Sequence, residues 1–581
     1  MMKPPYKTMC RIACTAIGLT LISGCASIHQ QAPGETPGTQ GSQTGPSHLA
    51  PGDYDPGFLY LAAQNALKEG QPSLAVQMLE ALVAKDKSAI DPHLQLVQLL
   101  LQYNQLDKAA EHIKQLGAIT SLDPEQAQQL DIMRIRLAYG QDSPDIALNM
   151  LKSYLSQHPE DIQALELNVR ILAEQKRQPE AIGIIKKAIQ LQDTPQLRLM
   201  QAQLLLQQQQ TQGAKLALQR MREMEPDEDT PVLMLSNIAL KEKHPDEAEE
   251  LLRTFRTDHP EALRVSNALG RLMVQQNRLV EAITIYRDLD SRTGGEPSVL
   301  QALGLLYYQH KDFSNSVTTF RKLISLQPSD EASYYLAASL EAMKKYPQAR
   351  KIYVKISKDA PIYTETQLRL AGLDILDGKM EKAVTRLQLV IRKHPEQLVA
   401  YTMLSSIRIA QKEYRKALDE TATTLAIRKL PPQLLFNRAV ALEHFKKYAD
   451  VEITLKRVLE HDSRHTDSLN FLAYTYAIQG IHLDEAETLI GRALDEKPDD
   501  GYYLDSLAWI QYKKGQIKLA IATQKRALEL VGDDPVMREH MGDMLWKNGQ
   551  QEAARNEWQK AIKFKHENPA MLRKKIAQSL E

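Results

Sequence analysis

Histidine is the residue type of this chain whose spacing could serve metal chemistry. His461 and His465 stand four residues apart, which suits two ligands of one ion, but they fall in a predicted turn, where a solvated loop is the simpler interpretation. His158, His259 and His394 each open the tripeptide HPE where a predicted helix ends, so we interpret them as turn residues. The motifs of phosphate loops, dinucleotide folds, zinc proteases and serine hydrolases do not occur in the sequence. The sequence therefore predicts no catalytic residue, no cofactor and no metal site.

Cys25 stands in a context that predicts covalent modification. The first eleven residues contain three basic residues and no acid, and residues 12–22 are apolar or small. A helix needs about 20 apolar residues to span a bilayer, so this run is too short for a span and is typical of an export signal. Ile22, Ser23, Gly24 and Cys25 then resemble the bacterial lipobox. The resemblance implies cleavage between Gly24 and Cys25 and acylation of Cys25; an ordinary secretory signal is the alternative.

The residues around Cys25 also bear on the compartment. Ala26 follows it, whereas in the lipoprotein family Asp at this position favours retention in the inner membrane. The resemblance therefore implies a lipid anchor in the bacterial outer membrane, on its periplasmic face. Cys10 and Cys14 lie in the removable segment, so the exported chain has no disulfide. Residues 26–57 contain 11 Gly or Pro among 32, which is typical of a flexible tether.

Composition excludes some classes of partner and of architecture. Lys and Arg number 72, as do Asp and Glu, and the sequence pI is near 7.3, so the basic excess of a nucleic-acid-binding protein is absent from the sequence. An apolar fraction of 43% with 25% charged residues is that of a folded, soluble chain. A chain of 581 residues is too long for one compact core. Several domains or an elongated repeat are expected.

A small residue recurs along the chain at the start of every second predicted helix. The gaps between copies are 33 to 35 residues, apart from one of 38. The positions are Ala75, Ala109, Ala147, Ala181, Ala214, Ala248, Ala282, Ser316, Ala349, Ala383, Ala417, Val451, Ala486, Ala520 and Ala554. Fifteen copies at one period indicate a repeat of helical hairpins, in which small side chains let two helix axes approach closely.

The period resembles that of the tetratricopeptide repeat. The best copy spans residues 297–328, and its matching positions are Leu303, Gly304, Tyr307, Ser316, Phe320 and Pro328. The resemblance implies an all-α solenoid, a right-handed superhelix of about fifteen helical hairpins with a concave inner surface.

The quality of the match varies along the chain and predicts its division. We expect a signal peptide at 1–24, a lipidated flexible tether at 25–53 and a degenerate helical array at 54–290. A regular array at 297–565 and a capping segment at 566–581 follow.

The groove of such a superhelix is lined by the first helix of each hairpin. In the last copies the inward positions follow the small crossing residue by one and by four. They are Tyr474, Trp509, Tyr512, Asp543 and Trp546. Aromatic side chains there predict anchors for an extended protein segment. The alternative is internal packing, with the capping segment folded over Trp546 or the superhelix closed on itself; Trp558 is predicted to be core.

Residues 469–530 carry a further resemblance. Their extra residue in the turn GIHLDEA and the following DSLAW resemble the C-terminal repeats of outer-membrane tetratricopeptide-repeat lipoproteins of the LbcA type, which are adaptors of a periplasmic carboxy-terminal processing protease. The resemblance implies a non-catalytic scaffold that brings the protease and its substrates together. An assembly scaffold for pilus, secretin or exopolysaccharide export is the alternative, and an enzyme is disfavoured.

Overall fold

The computed structural model describes residues 54–426 and 429–579. The predicted signal peptide, the acylation site at Gly24 and Cys25 and the tether at 25–53 lie outside the described residues. Contacts within the chain divide the described residues into two compact units, one ending at Leu306 and one beginning at Tyr307.

The described residues form α-helices and one short 3-10 turn, without a strand. The first unit holds α1 (Pro56–Lys68), α2 (Pro72–Lys85), α3 (Ile90–Gln102), α4 (Leu106–Gly117), α5 (Pro124–Gly140), α6 (Pro144–Gln157), α7 (Ile162–Glu174), α8 (Gln178–Leu191), α9 (Pro195–Gln207), α10 (Thr211–Met224), α11 (Asp229–Lys241), α12 (Pro245–Asp258), α13 (Leu263–Gln275) and α14 (Leu279–Thr293). Helix α15 (Pro297–Gln309) contains the boundary.

The second unit holds the remaining helices, and its 3-10 turn (Ala422–Thr424) follows α22. They are α16 (Phe313–Leu326), α17 (Asp330–Ala342), α18 (Tyr346–Tyr353), α19 (Tyr363–Leu376), α20 (Met380–Lys393), α21 (Leu398–Ala410), α22 (Tyr414–Thr421), α23 (Pro432–His444), α24 (Tyr448–His461), α25 (Thr466–Gln479), α26 (Leu483–Glu496), α27 (Gly501–Lys513), α28 (Ile517–Val531), α29 (Pro535–Lys547), α30 (Gln551–Lys563) and α31 (Pro569–Gln578).

Consecutive helices pair into hairpins. Apart from α15, which contains the boundary, each odd-numbered helix up to α29 packs against the even-numbered helix that follows it, and within each unit neighbouring hairpins pack in chain order. We call the odd member the first helix and the even member the second helix. The predicted all-α array of about fifteen hairpins is confirmed, and α31 follows the last of them.

The recurring small residues lie where the two helices of a hairpin meet. All fifteen are on second helices and all are at most 1% exposed. A larger side chain there would hold the two helices apart, so the period of the sequence reflects this contact. Trp558, predicted to be core, is buried at 3% exposure, and Phe320 on α16 is buried at 0%.

The turn inside each hairpin places a residue in the left-handed region of backbone conformation. At Lys412, φ is 59°, and the next residue, Glu413, donates its N–H to the carbonyl of Arg408 at 2.8 Å. This bond closes the end of the first helix and reverses the chain within a few residues. In the hairpin with an extra turn residue, both Gly480 and His482 adopt positive φ.

The structure contains a helix in the predicted capping segment, because α31 lies within residues 566–581. The predicted division of the repeats into arrays at 54–290 and 297–565 stays a prediction. Within the described ranges, no helix combines the length and the apolar character needed to cross a bilayer.

Candidate functional site

The predicted partner-binding residues lie on three first helices of the second unit. Helices α25, α27 and α29 carry them just after the small residues Ala473, Ala508 and Gly542, which the second helices cover. The contact is tightest at Gly542, where an added Cβ would come 2.4 Å from Nε1 of Trp558 on α30. Because each small residue sets the rotation of its helix, the residues one and four positions later point to a common side.

Three of the predicted residues come together around a histidine. The indole of Trp509 stacks on the His540 ring, with centroids 4.3 Å apart, and on the Tyr512 ring, with centroids 5.0 Å apart. The ring of Tyr474 lies 6.2 Å from His540. Tyr474 is buried, whereas Trp509 and Tyr512 are half-buried. We call Tyr474, Trp509, Tyr512 and His540 the aromatic face.

A buried acid–base pair holds the aromatic face in place. Nδ1 of His540 on α29 lies 2.9 Å from Oδ1 of Asp505 on α27, and Nε2 of Gln524 on α28 donates to the same oxygen at 2.6 Å. Burial is the largest single effect and lowers the pKa of His540, but the charge and hydrogen bond of Asp505, together with the charges of Glu539 and Asp543, outweigh it and the net shift is upward. His540 therefore stays protonated more readily than an ordinary histidine, and the ion pair orients the ring that stacks on Trp509.

Sequence analysis missed Asp505 and His540 as members of this site. They are 35 residues apart, which is one repeat plus one residue, and the signal that could have found them is this near-repeat spacing of an acid and a base on first helices. A search for that spacing would have placed Asp505 and His540 on two successive first helices.

Asp543 and Trp546 lie at the end of the array, against α31. Oδ1 of Asp543 accepts a hydrogen bond from Nε1 of Trp558 at 2.9 Å, and both its oxygens lie 2.7 Å from Nζ of Lys575 on α31. Lys575 also donates to Glu539 at 2.8 Å. The ring of Trp546 lies 5.8 Å from that of Trp558 and packs in the cluster that includes residues of α31. Partner binding by Asp543 and Trp546 stays a prediction.

Three buried hydrogen-bonding atoms near the aromatic face have no partner among the described residues. They are Nε1 of Trp509, Oε1 of Gln524 and Oδ1 of Asn470, which lies one helical turn before Tyr474 on α25. Asn470 is 6% exposed. Buried polar atoms in folded proteins nearly always have partners, so these atoms are exceptions within the interior of the site.

The histidines considered for metal chemistry have structural positions. His461 is the last residue of α24, and Nδ1 of His465, at the start of α25, accepts the N–H of Ser468 at 3.2 Å. His158 and His394 follow directly after second helices, as the turn interpretation expects. In the part of the chain that the structure describes, no three or more His, Cys, Asp or Glu side chains are grouped so as to hold a metal ion.

Family models of known proteins agree with the hairpin architecture. Family models described as tetratricopeptide repeat match residues 66–130, 132–196, 205–272, 297–330 and 331–361. Among solved structures, the chain is similar to one from the Cut9–Hcn1 hetero-tetramer of the APC/C at 14% identity and a TM-score of 0.36, covering 79% of this chain and 97% of that one.

Three curated relatives match parts of the chain. The TPR repeat-containing protein PA4667 of Pseudomonas aeruginosa is 24% identical over 216 residues, which are 37% of this chain and 36% of that protein. Anaphase-promoting complex subunit 3 of Schizosaccharomyces pombe is 24% identical over 184 residues, 31% and 27% of the two chains. The human protein O-mannosyl-transferase TMTC1 is 22% identical over 242 residues, 42% and 24%. The chain thus spans between 24% and 36% of the length of these relatives.

Fold, period and family models together define the class of protein. The chain is a tetratricopeptide-repeat protein. Repeats of this class indicate a scaffold for protein–protein interaction, because stacked hairpins offer an extended surface to a partner.

Proposed function

We propose that this protein is a non-catalytic, membrane-anchored scaffold of the bacterial periplasm that brings a processing protease and its substrates together. The aromatic face is proposed as one of its contact surfaces. The observation that carries this proposal is the stack of Trp509 on Tyr512 and His540, in which the rings of Trp509 and Tyr512 are only half-buried.

The arrangement suits binding better than catalysis. Asp505 and His540 resemble two members of a catalytic triad in their hydrogen bond, but the described residues around them offer no Ser, Cys or Thr nucleophile bonded to the histidine. The half-buried rings of Trp509 and Tyr512 instead offer large, rigid contact area at low cost in side-chain entropy, which is typical of interface anchors.

The protease role is supported by the lipobox and by the resemblance of residues 469–530 to adaptor lipoproteins. An export signal with an acylated Cys25 would confine the chain to the membrane surface, where a bound protease meets membrane-proximal substrates. The curated relatives match too little of their own length to transfer a partner.

Site-specific crosslinking in the bacterium that makes this protein tests the proposal. A photoreactive amino acid at position 512 is expected to capture a periplasmic processing protease or one of its substrates, identified by mass spectrometry. The same amino acid at position 460, exposed on the second helix α24, is the control. Recovery of secretin, pilus or exopolysaccharide-export components without a protease would replace the adaptor function with the assembly function.

Substitution of Cys25 tests the anchor. The Cys25→Ala chain is expected to lose incorporation of labelled palmitate and to move from the membrane fraction to the soluble periplasmic fraction, since two or more acyl chains provide stable anchoring. A Cys14→Ala chain is the control and keeps the label. Retention of label in Cys25→Ala would rule out this acylation site.

A further inference from the structure

We infer that the first helices of the first unit bind an acidic polypeptide segment in an extended conformation, along a row of arginine and amide side chains. This inference rests on the proposed scaffold function and adds a second contact surface and the chemistry of its partner. The surface lies on α3, α5, α7, α9, α11 and α13, and it shares no residue with the aromatic face, which belongs to the second unit.

Each of these six helices exposes one polar residue directly after a buried one. The buried residue is the crossing residue of the hairpin, and it stands twelve positions ahead of the recurring small residue on the second helix. Because the crossing residue faces the second helix, the residues that follow it on the six helices point to a common side. We call these exposed residues the polar row: Gln98, Arg136, Arg170, Gln203, Asn237 and Arg271. The row contains no acid.

An apolar row lies beside the polar row. Three residues further along each helix, an apolar or aromatic residue is half-buried, so part of its side chain packs inside and the rest reaches the surface. These residues form the apolar row: Leu101, Tyr139, Ala173, Leu206, Leu240 and Val274. A polypeptide can match both rows, because it presents polar backbone groups and apolar side chains together.

A direct contact joins the two rows of α5 to those of α7. Tyr139 on α5 donates its hydroxyl to the carboxylate of Glu174 on α7. Arg136 lies one turn before Tyr139 and Arg170 lies one turn before Glu174, so two guanidinium groups occupy the same level of neighbouring first helices. Partial removal from water, followed by the charge of Arg170, lowers the pKa of Arg136. An incoming carboxylate would offset this repulsion.

The surface carries more positive than negative charge. In the two rows, and at the positions three before and five after each crossing residue, the cations are Arg136, Arg170, Lys241 and Arg271, and the carboxylates are Glu166 and Glu174. Four cations against two carboxylates leave a net charge of +2. Within the described ranges the three arginines form no ion pair, although Glu166 and Glu174 each lie one turn from Arg170 on α7. The surface therefore favours acidic segments and repels basic ones.

The same charges argue against a nucleic acid. Nucleic-acid surfaces depend on many contacts between cations and phosphates, and an excess of two charges over six helices is too small for this. The amides of Gln98, Gln203 and Asn237 instead supply both donors and acceptors, which suit the N–H and C=O groups of a polypeptide backbone.

The spacing of the helices suits an extended chain. Packed helices lie roughly 10 Å apart, and a polyproline II segment repeats its side-chain direction every three residues, over about 9 Å. An acidic residue at every third position can therefore meet successive members of the polar row. About sixteen residues at about 3.1 Å each reach from α3 to α13.

Peptide titrations on the full chain in detergent test the inference. Three fluorescent peptides of about sixteen residues share leucines and differ at every third position, which holds glutamate, glutamine or lysine. By fluorescence anisotropy, the glutamate peptide is expected to bind about tenfold more tightly than the glutamine peptide, with the lysine peptide weakest. Equal affinities, or binding of no peptide, would overturn the inference. Neither result would alter the crosslinking at position 512, which tests the scaffold function separately.

A single substitution assigns the effect to the polar row. Arg136→Gln is expected to weaken the glutamate peptide about three- to tenfold and to leave the glutamine peptide unchanged. Arg287→Gln makes the same charge change at an exposed position of the second helix α14 and is the matched control. Both sites are exposed, so both variants are expected to keep the circular dichroism of the wild type. An equal loss of affinity in the two variants would show a diffuse charge effect and overturn the role of the row.

Charge reversal gives a readout that a structural role would not move. Arg136 and Arg271 have no carboxylate one turn away on their own helices, so a chain with Arg136→Glu and Arg271→Glu is expected to bind the lysine peptide more tightly than the glutamate peptide. An unchanged order of affinities would overturn the inference. Tighter binding of inorganic tripolyphosphate than of the glutamate peptide by the wild type would also overturn it, in favour of a phosphate polymer.

Discussion

At the scale of single residues, the closest contacts decide how the site is built. Gly542 touches Trp558 so closely that a methyl group has no room, and Trp558 in turn bonds to Asp543. The orientation of α29, and with it of His540, therefore depends on the absence of a side chain at residue 542.

Gly542→Ala is expected to destabilise the last hairpin. The added Cβ would lie 2.4 Å from Nε1 and 2.5 Å from Cδ1 of Trp558, and both belong to a rigid buried ring. Overpacking of this kind costs about 1–3 kcal/mol, and the better helix propensity of Ala offsets about 1 kcal/mol of it. Thermal unfolding followed by tryptophan fluorescence measures the loss.

Gly491→Ala is the control for that substitution. Gly491 lies inside α26, and a Cβ there meets nothing within 4 Å. This variant is expected to gain about 0.5–1 kcal/mol through helix propensity alone. Equal changes in the two alanine variants would contradict the close packing at residue 542.

At the scale of elements, hairpins differ in the polar groups that they bury between their helices. In the second hairpin, Nε2 of His93 on α3 lies 2.9 Å from Nδ1 of His112 on α4. His93 is 3% exposed and its Nδ1 has no partner among the described residues. The two imidazole rings cannot both be positively charged at this distance. This hairpin is therefore sensitive to acid.

We expect the free energy of unfolding of the first unit to fall as the pH drops from about 6.5 to about 4. Burial, followed by the proximity of His112, lowers the pKa of His93 to about 4. The unfolded chain binds this proton near pH 6.5, so acid favours unfolding across that interval, by about 3 kcal/mol at most. Urea unfolding at pH 7.0 and 4.5 measures the difference, and His93→Leu is expected to reduce it; an unchanged difference would contradict the prediction.

Helix α31 covers the end of the array, and its removal is expected to loosen the last hairpin. Leu572 is fully buried in the cluster that also contains Trp558, and Lys575 supplies the cation for Glu539 and Asp543. A chain that ends at residue 565 exposes these groups. Faster amide exchange in α29 and α30, measured by mass spectrometry, is the expected result; unchanged exchange would show that α31 does not act as a cap.

At the scale of the whole molecule, a repeat protein distributes its stability over local contacts. Within each unit, a hairpin packs mainly on its neighbours in the chain, and buried residues form a series of separate clusters along the described residues. Damage to one junction should therefore stay near that junction.

Ala520→Trp tests this locality. Ala520 is fully buried on α28 against α27, and overpacking there is expected to cost about 1–3 kcal/mol or more. Amide exchange is expected to rise in α25 to α30 and to stay unchanged in α1 to α8. A uniform rise along the chain would indicate a single cooperative unit.

The sequence by itself determined the helices, their pairing and the class of the protein. The reason is that each hairpin repeats the same local requirements: a small residue at the crossing, a turn residue with positive φ and apolar residues at helical spacing. These requirements act within about 34 residues, so they remain visible in the chain as a period.

Only the tertiary structure decided which polar groups meet. The pairing of Asp505 with His540 and the ion pair of Asp543 with Lys575 both depend on how neighbouring helices are rotated against each other. Small differences in packing volume set that rotation, and the period carries no record of them. The aromatic residues of the site could thus be predicted from their positions in the repeat. Their charged neighbours could be identified only from the stacked helices of the structure.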